Sequence, residues 1–151
     1  MDAENIGSSS TSSYDTRLTN IGKMLRRFKL DELPQLINII KGDMSFVGYR
    51  PQVQWAVDLY TEEERAILQL QPGITDWASI KFYNEEEIIA QSGMADPDEA
   101  YMHLIHPEKT RLQIKYLKEH TFFLDIKIII ATILTVIATR MGFKPVGLPR
   151  N

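Results

Sequence analysis

The run from Phe122 to Thr139 constrains this chain most, because within it only Asp125 and Lys127 carry charge. A membrane-spanning helix needs about 20 predominantly apolar residues, so the run sits at the edge of spanning length. At helical pitch Ile126, Ile129, Ile130, Ile133, Leu134, Val136 and Ile137 fall on one side. Lys127, Ala131, Thr132, Thr135, Ala138 and Thr139 fall on the other, with Ile128 as the exception. A helix that crosses a bilayer gains nothing from that division. One lying on a membrane surface gains from it, and so does one packed on a domain. The pattern leaves both open. It lacks the period-two alternation of a strand.

The remainder fits one domain. The chain has 151 residues, 44% of them hydrophobic and 25% charged, enough apolar material for a packed core. It has no cysteine, which excludes disulfides, thiolate metal sites and cysteine nucleophiles and fits a reducing compartment. A net charge of −3 argues against nucleic acid as a partner. Charge is unevenly placed: Arg17, Lys23, Arg26, Arg27 and Lys29 form a basic stretch free of acids. Such a stretch suits phosphate or an anionic membrane surface, and equally a solvated helix face. Residues 1–15, with the polar run Ser8–Ser13, read as a flexible segment with no secretory signal pattern. Residues 141–151 read as a tail.

Local signals predict mainly α structure with a few short β-strands, in a single compact domain closed by a C-terminal amphipathic helix. Thr19 caps a short helix with Ile21, Met24, Leu25 and Phe28 on one face. Leu33, Leu36, Ile37 and Ile40 define a second helix, with Pro34 in its first turn and Gly42 as its stop. Met44–Val47 is read as a short strand and Gly48-Tyr49-Arg50-Pro51 as a loop. Thr61 and Glu64 have capping-box spacing for a helix through Leu70. Pro72-Gly73 signals a turn. Alternation from Ile74 to Phe82 predicts a strand. Asp96-Pro97-Asp98-Glu99 and Pro107 each open a further helix. Asp125 is read as a cap of the last helix, Trp77 as core, Asp43 as a turn residue, and His103, His106 and His120 as surface or capping residues.

Asp31 and Glu32 stand at the start of the second helix, where acids commonly answer the helix dipole. They also follow directly on the basic stretch. A helix start and guanidinium groups bind phosphate, and a carboxylate there can coordinate magnesium that bridges phosphate oxygens. Those are components of phosphoryl transfer, in which a carboxylate can serve as nucleophile.

The string Leu30-Asp31-Glu32-Leu33-Pro34-Gln35-Leu36, followed by Lys41-Gly42-Asp43-Met44-Ser45, resembles the signature of the bacterial sugar transferases. These are the monotopic polyprenol-phosphate phosphoglycosyl transferases. Arg17-Leu18-Thr19, Ile21-Gly22 and Arg26 precede the string in the family's order. Gly48-Tyr49-Arg50-Pro51, Pro72-Gly73-Ile74-Thr75 and Phe123-Leu124-Asp125-Ile126-Lys127 follow it. The resemblance covers roughly Thr16 to Thr139 and implies a catalytic domain over residues 16–140. It implies Asp31 as nucleophile and magnesium ligand, Glu32 as its assistant, and Arg26 and Arg50 as phosphate- and nucleotide-binding residues. The implied substrates are a UDP-sugar and polyprenol phosphate, and the implied cofactor is Mg2+. The implied place is the cytoplasmic face of a bacterial inner membrane, held peripherally at the membrane surface. Two departures stand out. Tyr49 replaces a usual proline, which predicts a looser backbone before Arg50. The family's apolar re-entrant helix and the basic segment after it do not precede the basic stretch here. A shortened family member acting as a membrane-surface or partner-binding module is therefore the alternative expectation.

Overall fold

A computed structural model of the chain describes residues 34–143. The predicted helix at Thr19, the segment 1–15 and most of the tail lie outside the described residues. The elements in order are α1 (Gln35–Lys41), β1 (Ser45–Val47), α2 (Gln54–Asp58) and α3 (Glu62–Arg65). They continue with β2 (Gly73–Thr75), α4 (Trp77–Lys81), α5 (Glu85–Gln91), α6 (Pro97–Leu104), α7 (His106–Glu119) and α8 (Phe122–Arg140). The fold is mainly helical with a small sheet, as the sequence predicts.

Punctuation residues act as their chemistry dictates. Pro34 precedes α1 with helical dihedrals, where its missing N–H is harmless. Gly42 ends α1 at φ +83°, donating its N–H to Ile39 O at 3.0 Å, a left-handed stop that glycine adopts without strain. Thr61 and Glu64 form the predicted capping box, but α3 tightens into a 3-10 turn over Ala66–Gln69. Asp96 accepts from Asp98 N at 2.9 Å and opens α6.

Strands β1 and β2 pair in parallel, with Ser45 opposite Gly73 and Val47 opposite Thr75. A parallel pair needs a crossover connection, and α2 and α3 supply it. The predicted strand over Ile74–Phe82 is corrected: it ends at Thr75. The Asp76 carboxylate accepts from Ser79 N at 2.6 Å and starts α4. Trp77, Ala78 and Ile80 are all buried there, and Trp77 and Ile80 share one helical face. A pleated strand would have turned Trp77 and Ile80 to opposite sides.

Two apolar clusters form the interior. Val47, Trp77, Ala78, Ile80, Leu112, Tyr116 and Ile128 join β1, α4, α7 and α8. Ile89, Ala100, Tyr101 and Ile105 join α5 to α6, with Trp55 of α2 packed against them.

Helix α8 lies on the domain with the side that its composition does not favour. Its buried residues are Ile128 and Thr135. The Thr75 and Thr132 hydroxyls meet at 2.7 Å, and Thr132 also bonds Ile128 O. Ile126, Ile130, Ile133, Leu134 and Ile137 are exposed. Of the two readings left open, packing on the domain is thus met by the side that holds Ile128, Thr132 and Thr135, while most of the isoleucine side faces outward. Small and hydroxylated residues let the helix approach the sheet closely, and the Thr132 hydroxyl pairs across the contact. Thr121 caps the helix by accepting from Leu124 N, whereas Asp125 accepts from Tyr116 OH at 2.7 Å. The capping role read for Asp125 thus belongs to Thr121.

Replacing Ile128 by alanine should lower the unfolding free energy by about 2–5 kcal/mol. Ile133→Ala should change it by only about 0.5 kcal/mol or less. Urea titrations of both variants measure this, and equal losses would place the isoleucine side in the core instead.

Candidate functional site

Of the predicted site residues, Arg50 falls within the described residues; Arg26, Asp31 and Glu32 lie outside them. Arg50 is exposed on the loop between β1 and α2. That loop leaves the sheet under tight constraint. Gly48 N donates to Thr75 O at 3.0 Å, and Gly73 N donates to Tyr49 O at 2.9 Å. A Cβ on Gly48 would overlap the carbonyl oxygen of Gln71, and one on Gly73 would overlap the backbone of Gly48. The two strands therefore touch backbone to backbone, which only glycine permits. The looseness expected from Tyr49 is countered at its carbonyl, which is tied to β2.

Downstream of Arg50, the Tyr101 hydroxyl donates to Gln52 Oε1. Tyr101 belongs to a buried polar-aromatic cluster. Its ring meets Trp55 edge-on at 6.3 Å and His106 at 6.2 Å, and Tyr60 meets His106 at 5.6 Å. Lys109 Nζ lies 5.1 Å from the Tyr101 ring centre and pairs with Glu85 at 3.0 Å. Burial raises the phenol pKa values of Tyr60 and Tyr101, so both stay protonated. Gln52 Nε2, Tyr60 OH and His106 Nε2 are buried without a hydrogen-bond partner among the described residues.

His106 corrects the surface or capping role read for it, since it is buried beside Glu64. Burial lowers its pKa below 6.5; Glu64 opposes this and Lys109 adds to it. Burial raises Glu64, but hydrogen bonds from Thr61 and Thr110 and the charge of His106 outweigh that and leave it lowered. His103 lies exposed, 3.9 Å from Glu99, and His120 ends α7 against Leu117 O at 3.0 Å, as surface and capping roles require.

Among the described residues no cluster of three or more His, Cys, Asp or Glu could hold a metal ion. They therefore supply no complete magnesium site of their own. Sequence reasoning singled out Arg50 but missed Gln52 and Tyr101. Gln52 stands two places after Arg50 and could have been noticed. Tyr101 is 49 residues further on, and no local signal links the two.

The chain matches a family profile described as bacterial sugar transferase over residues 1–139. It is 34% identical over 125 residues to "Uncharacterized sugar transferase EpsL" of Bacillus subtilis (strain 168), covering 83% of this chain and 53% of that protein. It is 36% identical over 139 residues to the undecaprenyl-phosphate glucose phosphotransferase of Komagataeibacter xylinus, covering 88% of this chain and 24% of that protein. It is 30% identical over 138 residues to the UDP-N-acetylgalactosamine-undecaprenyl-phosphate N-acetylgalactosaminephosphotransferase of Aeromonas hydrophila, covering 89% and 29%. The chain thus spans about half the length of the first relative and about a quarter of the other two.

The depressed pKa of His106 has a consequence for stability. The unfolded chain takes up a proton near pH 6.5, whereas the folded chain resists it. The stability contributed is complete above 6.5 and is lost as pH falls through the folded value. Melting curves from about pH 7.5 to about 5.5 should show wild type losing more stability than His106→Gln, which does not titrate there. A steeper loss in the variant would contradict the burial of a neutral imidazole.

Proposed function

The chain belongs to the bacterial sugar transferase family, and from that premise we propose that it moves a phosphosugar from a UDP-sugar to polyprenol phosphate. The observation that carries this is its similarity to relatives named for sugar phosphate transfer to undecaprenyl phosphate. Names of exopolysaccharide production proteins among the relatives support a role in surface polysaccharide assembly.

In this reading an Asp31 carboxylate oxygen attacks the phosphorus that bears the sugar. The new acyl–O–P bond forms as the P–O bond to UMP breaks, and UMP leaves. An oxygen of polyprenol phosphate then attacks the same phosphorus, freeing the carboxylate and giving a polyprenyl diphosphate sugar. Splitting the transfer this way replaces one hard step by two easier ones. Glu32 orients the reactants or moves a proton. Arg26 and Arg50 bind the diphosphate through charge-assisted hydrogen bonds. Mg2+, when bound at Asp31, would neutralise phosphate charge.

The lipid acceptor calls for a membrane surface, and the outward side of α8 suits one. The helix has 19 residues, enough by length and composition to cross a bilayer. Crossing would pull Ile128 and the Thr75–Thr132 contact out of the domain, with polar groups left unpaired. Lying in the membrane plane keeps both and buries Ile126, Ile130, Ile133 and Ile137 in lipid. The face in this reading is cytoplasmic, which the cysteine-free composition fits.

With UDP-sugar, magnesium and polyprenol phosphate, wild type should release UMP. Asp31→Asn should lose at least about 100-fold in rate, the scale of removing a group that acts in the transition state. Equal release from both would remove Asp31 from the nucleophile role, and no release from either would favour a binding module. Sedimentation with phosphatidylethanolamine–phosphatidylglycerol vesicles tests the membrane reading. Wild type should pellet, and a variant with Ile130, Ile133 and Ile137 changed to serine should remain in solution. Equal pelleting would overturn the role of this stripe.

A further inference from the structure

The loop that carries Arg50 is bounded at both ends by backbone hydrogen bonds. Upstream, Gly48 and Tyr49 are bonded to Thr75 and Gly73 by backbone groups. Downstream, Val53 O accepts from Ala56 N and Val57 N as α2 begins. Between them, at residues 50–52, no backbone–backbone hydrogen bond occurs among the described residues, and Pro51 has no N–H to donate. In this stretch the Gln52 side chain is tied to the body of the domain by the Tyr101 hydroxyl.

Tyr101 is well placed to act as an anchor. It is 5% exposed, on a helix capped by Asp96. Trp55 and His106 pack edge-on against its ring, and Lys109 lies against it, itself held by Glu85. Since Trp55 stands on α2 directly after the loop, Tyr101 grips the chain at two points beyond Arg50, through Gln52 and through Trp55. We propose that Tyr101 is a positioning residue: through Gln52 it fixes the loop so that Arg50 is presented to the phosphates of a nucleotide ligand. This rests on the reading of Arg50 as a phosphate-binding residue. A guanidinium on a loose loop would lose ordering entropy on binding, and a preset loop avoids most of that loss.

Tyr101→Phe removes one oxygen and keeps the ring contacts. Gln52→Met removes the acceptor at a half-buried position, as a second variant should the first fail to fold. Calorimetric titration with UDP should show each weakening binding by roughly 3- to 10-fold, the scale of one hydrogen bond. In an Arg50→Ala background, Tyr101→Phe should cause no further loss, because the latch acts through that arginine. In the UMP-release assay the single variants should raise KM more than they lower kcat. Hydrogen exchange should quicken in both at Ala56 and Val57, whose N–H groups donate to Val53 O at the loop's downstream end, with α6 unchanged in Gln52→Met. Unchanged exchange and UDP affinity would overturn the proposal, and so would a full additional loss in the Arg50→Ala background. If Arg50→Ala alone binds UDP as wild type does, the phosphate role of Arg50 fails and the proposal with it. Faster exchange would then still separate that failure from failure of the latch.

Discussion

Gly48 and Gly73 lie backbone against backbone, closer than any side chain would allow, and the small parallel sheet depends on that approach. Two strands of three residues each make few ladder bonds, and parallel pairing normally belongs to larger, covered sheets. Here the pair survives because its ends are tied as well. Ser45 N reaches Pro72 O, Gly48 N reaches Thr75 O and Gly73 N reaches Tyr49 O. Val47 then points into the cluster formed with Trp77, Leu112 and Ile128, which covers one face. The exit of the Arg50 loop is thus set by the same contact that holds the sheet together.

Helix α7 carries load on both sides of this arrangement. Leu112 and Tyr116 belong to the cluster around Trp77, while His106 and Lys109 approach the cluster around Tyr101. Its Glu108 also bridges Arg111 and Lys81, and hydrogen bonds from Arg111 and then Lys81 draw its pKa down to about 2. Gln113 donates to the buried Asp76 carboxylate that starts α4. The helix therefore links the support of the sheet to the support of the loop.

The terminal helix divides its two faces between different tasks. Hydroxyl and methyl groups of Thr132, Thr135 and Ala131, with Ile128 among them, meet the domain. The isoleucine stripe is left outward, and Phe123 beside it is 84% exposed. A stripe of that size exceeds the scattered apolar residues normal on a protein surface. It accords with the membrane surface proposed for this helix.

Much of this molecule was legible before any coordinates. The stop at Gly42, the capping box at Thr61, the opening of α6 at Asp96 and the long final helix follow from local chemistry, because each depends on groups within four residues of one another. The family signature is also local. What tertiary structure decided was every matter of facing and of distant partnership. The same alternating run could be strand or helix until Asp76 capped it and Trp77 and Ile80 went inward together. The last helix could present either side until Thr75 met Thr132, 57 residues apart. Tyr101 meets Gln52, 49 residues away, through the packing of α6 against Trp55 of α2. Sequence periodicity states that two faces differ; which one is buried depends on the shape and hydrogen-bonding groups of the surface it meets, and that surface is made by residues far along the chain.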